Sequence, residues 1–340
     1  TQLCRKGWKE LIAGKIAEDK IQEYGDRVKY ELDVFKRNNL AGYFLIDWDI
    51  MFFCKTKGWL TGVGRGSSAG SLVAYLLGIT KVDSIKYDLM FERFYNEGRA
   101  GSLPDIDSDF EVEHRDEVVD YIKHKYGIER VTQIITFGNL KGKKAIHAVM
   151  TAYDDMPFEE IKRITSNIIE EHKITDELQE MEEVEEGSSS ILRWCLENRP
   201  EQFKEWCELD EEGNLKGPYA ERFRQAMALE GIKANMSRHA AGVVVSKSNL
   251  DNTCPMVLDT KTKKAIGGLT MNDMEAIGQC KMDILGLNFL DKMSMISRMN
   301  PKFNTDFNAL DLEDSVVWDL FATGKTKGCF QLESRLGQVM

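Results

Sequence analysis

Residues 103–110 read LPDIDSDF, which sets Asp105, Asp107 and Asp109 at alternate positions behind a proline. In an extended chain successive side chains point to opposite faces, so the three acids share one face and Ile106, Ser108 and Phe110 take the other. Two residues of strand rise roughly 6.6 Å, and like charges at that spacing repel more strongly the deeper they are buried. A positive group is therefore expected among them. An EF-hand calcium loop is the first rival, but with Asp105 as its first position Phe110 stands where glycine is required and Asp116 where glutamate is required. A plain acidic surface strand is the second. The third reading is a carboxylate platform for hard cations, most naturally Mg²⁺.

Phosphate is the natural partner of such cations, and VGRGSSAGSLVAY offers a place for it. The amides of a glycine turn that opens a helix point outward unsatisfied, and the helix dipole adds positive potential there. Ser67 or Ser68 is expected to cap that helix. Gly64, Gly66 and Ala69 also satisfy GxGxxA, but the preceding GWLTGV is a poor strand and no ribose-binding acid follows at dinucleotide-fold spacing. Walker A fails at the late GKT too, because Asp319 stands where its first glycine belongs. Arg93 and Arg99 lie between the turn and the acids, where a guanidinium is able to pair with a triphosphate. In CKMDILGL, Asp283 interrupts an apolar run with Lys281 on the same face. A buried acid there must meet a cation or a donor. His239, ahead of AAGVVVS, reads as a hydrogen-bonded packing residue.

Composition limits the rest. The 340 residues, 42% hydrophobic and 30% charged, suit a globular protein of two or three domains. GYFLIDWDIMFF is broken by Asp47 and Asp49, so no membrane span is expected. Seven scattered cysteines without CxxC spacing indicate neither zinc nor disulfides and fit a reducing cytoplasm. The net charge of −11 argues against a generally basic nucleic-acid coat, yet the charge is segregated. Residues 170–186 are almost wholly acidic and read as a solvated helix face, whereas Lys141, Lys143 and Lys144 form an acid-free cluster that is either another solvated face or a binding patch.

Periodicity predicts a helix through Val28, Leu32 and Phe35, and another through Val118, Ile122 and Tyr126 that stops at Gly127. VTQIITFG, AAGVVVS and CKMDILGL read as strands, and about 139–236 reads as helical. Strands on both sides of a helical insertion give an α+β core built from two separated segments.

In order, GRGSSAGSLVAY, FERF, LPDIDSDF, ITFG, RHAAGVVV, KMDILGL and FQLESR resemble bacterial replicative DNA polymerases of the C family, the polymerase III alpha family, from about residue 1 to 340. The resemblance implies a polymerase-beta-like nucleotidyltransferase palm in two segments, 1–138 and 237–288. A helical thumb would be inserted at 139–236, and helical fingers would begin at 289–340. It implies metal-binding acids at Asp105, Asp107 and Asp283, with Asp109 in support. Triphosphate contacts fall on Gly66, Ser67 and Arg93, and Lys143 and Lys281 match lysines near the active site. The expected reaction is template-directed transfer from a dNTP to a primer 3′ hydroxyl, using two Mg²⁺ about 3.5–4 Å apart, with Mn²⁺ as a substitute. Expected partners are primer–template DNA, dNTP, and other replisome subunits or a missing C-terminal polypeptide, with no membrane. His147 stands where relatives often have arginine, and the acidic stretch after Glu170 is atypical of a thumb. A PHP domain would precede the chain and most of the fingers would follow it, as in a fragment or a split polypeptide. The alternatives are a DNA-binding fragment inactive without those fingers and a calcium-dependent structural module.

Overall fold

The computed structural model describes residues 1–96, 98, 103–153, 155–182, 190–333 and 337–338. Arg99 and the end of the acidic stretch, 183–186, lie outside them. The chain forms two compact units, one made of Thr1–Ile135 with Arg238–Met340 and the other of Thr136–Ser237.

The first unit opens with helices α1 (Gln2–Leu11), α2 (Ile21–Arg37), α3 (Ala41–Lys57) and the short α4 (Leu72–Leu77). Strand β1 (Asp107–Phe110), helix α5 (Val112–Tyr126) and strand β2 (Val131–Asn139) follow. Gly127, at φ +108°, ends α5 where the pattern predicts. The second unit holds α6 (Gly142–Ala152), α7 (Phe158–Ser166), α8 (Glu171–Glu182), α9 (Ile191–Asn198), the two-residue strands β3 (Glu208–Leu209) and β4 (Leu215–Lys216), and α10 (Ala220–Leu229). It has its own core around Ile146, Ile164, Leu192, Phe203 and Phe223. The chain returns through β5 (Lys233–Val245) to β6 (Met256–Leu258), β7 (Ala265–Gly267), α11 (Met271–Ala276), β8 (Cys280–Gly286), α12 (Asn288–Met299) and α13 (Ser315–Ala322).

The fold is α+β around a mixed sheet in the order β1-β8-β5-β2-β7-β6. β1 runs parallel to β8 with Asp107 opposite Asp283, and β5 runs antiparallel to β8 with Gly242 opposite Asp283. Strand alternation then separates two faces. Ser108, Phe110, Met282 and Ile284 point inward; Phe110, Met282 and Ile284 join a core with Phe44, Val118 and Ile122 from α3 and α5. Asp107, Lys281 and Asp283 take the opposite face. A helix-only reading of 139–236 misses the β3–β4 pair and the start of β5 at Lys233. Among the described residues no helix is long and apolar enough to cross a membrane. α3 instead buries Asp47 and Asp49 within the first unit.

Candidate active site

β1 and β8 carry acids from distant segments to one place because a parallel pair sets Asp107 directly beside Asp283. Asp105, on irregular backbone just ahead of β1, completes the group, and one carboxylate oxygen from each of the three lies within 4.8 Å of the others. Asp105 is exposed, Asp107 partly so, and Asp283 only 7% exposed. The predicted extended stretch is thus shorter than LPDIDSDF, with Asp105 reaching the group from outside the strand.

The positive group expected among the acids is Lys281. Its Nζ lies 2.8 Å from Asp283 Oδ2, 3.1 Å from Asp105 Oδ1 and 3.8 Å from Glu275 Oε1. Burial works against its charge, but the hydrogen bond to Asp283 and the charges of Asp283 and Asp105 outweigh burial and raise its pKa. Asp283 is pushed up to about 6, first by burial and further by Asp105, with Lys281 resisting. Hard oxygen donors, one of them open to solvent, fit a divalent cation that keeps part of its water shell. This acidic triple can hold a metal ion.

Asp109 does not join it. At 5% exposure it faces Arg65, which donates from Nε to Oδ2 (3.2 Å) and from Nη2 to Oδ1 (3.1 Å). Burial raises the Asp109 pKa and Arg65 restrains the rise. The same Nη2 lies 3.7 Å from Asp107 Oδ1. Arg65 was not singled out in the sequence, although an arginine inside a glycine run beside alternating acids is a readable signal.

The glycine turn differs from its expected form. Gly66–Gly70 make a 3₁₀ turn, and the cap of α4 is Ser71, whose hydroxyl accepts from Ala74 N, rather than Ser67 or Ser68. Nor are the first amides of α4 free. Leu72 N and Val73 N each donate to the Glu31 carboxylate at 2.9 Å, as does the Ser71 hydroxyl at 2.8 Å. Arg27 binds the same Glu31 at 2.7 Å and reaches the Gly70 and Leu89 carbonyls, anchoring the turn from α2. An anion therefore already fills the helix start. Gly66 and Ser67, one turn upstream, remain exposed. Gly66 has φ +64°, and a Cβ built there would lie 3.8 Å from Asp107 Oδ2, so the turn abuts the acids.

Arg93 ends a 3₁₀ turn, Phe91–Arg93, with its side chain exposed. Lys141, Lys143 and Lys144 belong to the second unit, at the start of α6; Lys141 Nζ donates to Thr175 Oγ1, and Lys144 is exposed. His239 accepts at Nδ1 from Gly242 N (2.8 Å) and Ala241 N (3.2 Å). Burial, then Lys281 and Arg115, lower its pKa, in keeping with a neutral packing residue.

A family model for the bacterial DNA polymerase III alpha NTPase domain matches residues 1–286, and one for the bacterial DNA polymerase III alpha subunit finger domain matches 286–340. The DNA polymerase III subunit alpha of Thermus aquaticus is 37% identical over 341 residues, covering 97% of this chain and 26% of that protein. That of Aquifex aeolicus is 35% identical over 344 residues (98% and 29%), and that of Bacillus subtilis 37% over 337 (98% and 27%). The chain thus spans little more than a quarter of the length of these relatives. With family models covering it from end to end and a site built on the acids of β1 and β8, the chain belongs to the bacterial DNA polymerase III alpha family.

Proposed function

We propose that this chain carries the nucleotidyl-transfer centre of a DNA polymerase, extending a primer 3′ hydroxyl with a dNTP under the direction of a DNA template. The observation that carries the reading is the meeting of Asp105, Asp107 and Asp283 beside the Gly66 turn. The first unit is read as a polymerase-beta-like palm, the second as an inserted thumb, and 289–340 as the beginning of the fingers. Asp105, Asp107 and Asp283 would hold Mg²⁺, with Mn²⁺ as a substitute. When bound, two such ions supply acidity for the attacking hydroxyl and neutralise charge on the triphosphate. The chain's own groups do the rest. The backbone N–H groups of Gly66 and Ser67 donate to the β- and γ-phosphates, and Arg93 pairs with the same chain of phosphates. Lys281, already hydrogen-bonded to Asp283, fixes that carboxylate and offsets the mutual repulsion of the acids. Lys141, Lys143 and Lys144 would bind backbone phosphates of the duplex. The partners are primer–template DNA, dNTP and other replisome polypeptides, and the compartment is the cytoplasm.

Asp107→Asn tests the reading. It is expected to bring primer extension to background while DNA affinity, measured by fluorescence anisotropy, stays near that of the parent. Full extension by the variant would refute the assignment. Extension by this chain alone, compared with the chain supplemented by a downstream polypeptide that carries the rest of the fingers of its relatives, distinguishes a self-sufficient catalyst from a DNA-binding portion that needs the remainder.

A further inference from the structure

The carboxylate of Asp107 faces a guanidinium. Arg65 Nη2 stands 3.7 Å from Oδ1, and Gly66 passes Oδ2 at a distance where an added Cβ would come to 3.8 Å. The guanidinium making the first contact is not free to wander, because its fork is closed on Asp109, a buried acid two residues along the same strand. The segment bearing Arg65 is in turn fastened to β1. Thr61 forms a β-bridge with Phe110, and Gly62 N donates to the Asp109 carbonyl at 2.9 Å. Gly62 is tight enough against Asp109 that an added Cβ would come within 2.9 Å of the Asp109 Cβ. Arg65 and Asp109 thus form a brace between the glycine turn and the acid-bearing strand, with Asp107 at its open end.

We propose that Arg65 is a positioning residue: closed on Asp109, it orients the Asp107 carboxylate toward Asp105 and Asp283 and so sets the affinity of the triple for a divalent cation. This rests on the reading of Asp105, Asp107 and Asp283 as metal ligands. A planar fork matters here because it fixes direction as well as charge, which a lysine ammonium does not. Groups that hydrogen-bond to or steer a metal ligand commonly change metal affinity about 10–100-fold when lost.

The experiment is Mn²⁺ binding to the whole chain, read from the electron paramagnetic resonance signal of free Mn²⁺ well below the melting temperature of each variant, so that a change in global stability does not enter. The parent should bind and Asp107→Asn should not; parent-like binding by that variant overturns the metal-site reading itself. Given that control, Arg65→Gln is expected to weaken Mn²⁺ about tenfold. Arg65→Lys should fall nearly as far, since it keeps the charge and loses the fork. Asp109→Asn should weaken binding similarly, and the double variant Arg65→Gln with Asp109→Asn should be no worse than the weaker single one. Loss of binding in Asp107→Asn together with parent-like affinity in Arg65→Gln overturns the proposal. Full rescue by Arg65→Lys does so as well, because charge alone would then account for the effect. Because Asp109 is buried, Arg65→Lys at a partly exposed side chain keeps the test available if Asp109→Asn does not fold.

Discussion

Two groups of carboxylates in the first unit are placed in opposite ways. Glu31 is wholly buried, yet each of its oxygens accepts two hydrogen bonds: Oε1 from Arg27 and Leu72 N, and Oε2 from Ser71 and Val73 N. Burial pushes its pKa up and these donors resist. Asp105 and Asp283 share Lys281, Asp107 faces an Arg65 nitrogen 3.7 Å away that already donates to Asp109, and much of the acceptor capacity of the three is left over. The first arrangement closes a helix start; the second leaves a binding site. The lesson is that an acid's role is read from how many of its lone pairs the protein itself occupies.

The largest effect is expected of Glu31→Gln. Its amide would set an N–H donor against backbone donors, leaving some of three buried donors without an acceptor and the Arg27 charge without its counter-charge. At ~1–3 kcal/mol for each stranded group, the first unit should lose roughly 5 kcal/mol. Thermal unfolding followed by circular dichroism checks this. Asp107→Asn should hardly move the same transition, because its carboxylate is incompletely paired. Equal melting losses in the two variants would erase the distinction between a filled and an open carboxylate.

Much of the open group was legible in the sequence, and the filled one was not. Alternating acids, and a charged pair inside an apolar run, report their own strand because a strand's period is two; a cation or a donor for Asp283 was required by the cost of burying an acid alone, and Lys281 is that cation. Glu31 gives no such signal. It lies in a helix, four residues from Arg27, and looks like an ordinary surface ion pair; its partners are about forty positions away, brought in only by packing of α2 on α4. The misassigned cap has the same origin. Ser67, Ser68 and Ser71 all have capping chemistry, and the choice fell to where the 3₁₀ turn ended. Helical periodicity likewise gave no warning of two-residue strands such as β3 and β4, too short for a pattern of their own.

Asp47 is a third case, a buried carboxyl only half supplied with donors. It is 1% exposed on α3, accepts from the Ser108 hydroxyl at 3.1 Å beneath β1, and its Oδ2 has no hydrogen-bond partner among the described residues. Burial raises its pKa to about 7, against the Ser108 hydrogen bond. Its charge would act on Tyr43 and Cys280. In the unfolded chain this carboxyl ionises near pH ~4. Between that value and about 7 the folded state binds more protons than the unfolded state, so this group's contribution to stability is present at low pH and lost as pH rises. Over pH 5 to 8 the loss is about 2–3 kcal/mol. Asp47→Asn should remove it, so that melting temperatures of variant and parent shift in favour of the variant as pH is raised. Parallel curves would mean that Asp47 titrates like an exposed acid.

The smallest effect belongs to the second unit, where the groups in question are cations. Lys144 is exposed on α6, whereas Lys141 already donates to Thr175. If Lys144 meets a backbone phosphate, its replacement removes one released counterion and no base contact. Lys144→Gln should then weaken DNA binding by about 1 kcal/mol, equally for unrelated duplex sequences, and reduce the slope of log affinity against log salt by roughly 0.9. Lys141→Gln should do less, since its ammonium is partly engaged before DNA arrives. Anisotropy titrations at several salt concentrations separate the two lysines. An unchanged slope in Lys144→Gln would remove this residue from the DNA surface, and a larger change in Lys141→Gln would show that an occupied donor is no guide to function in this unit, as it is for carboxylates in the other.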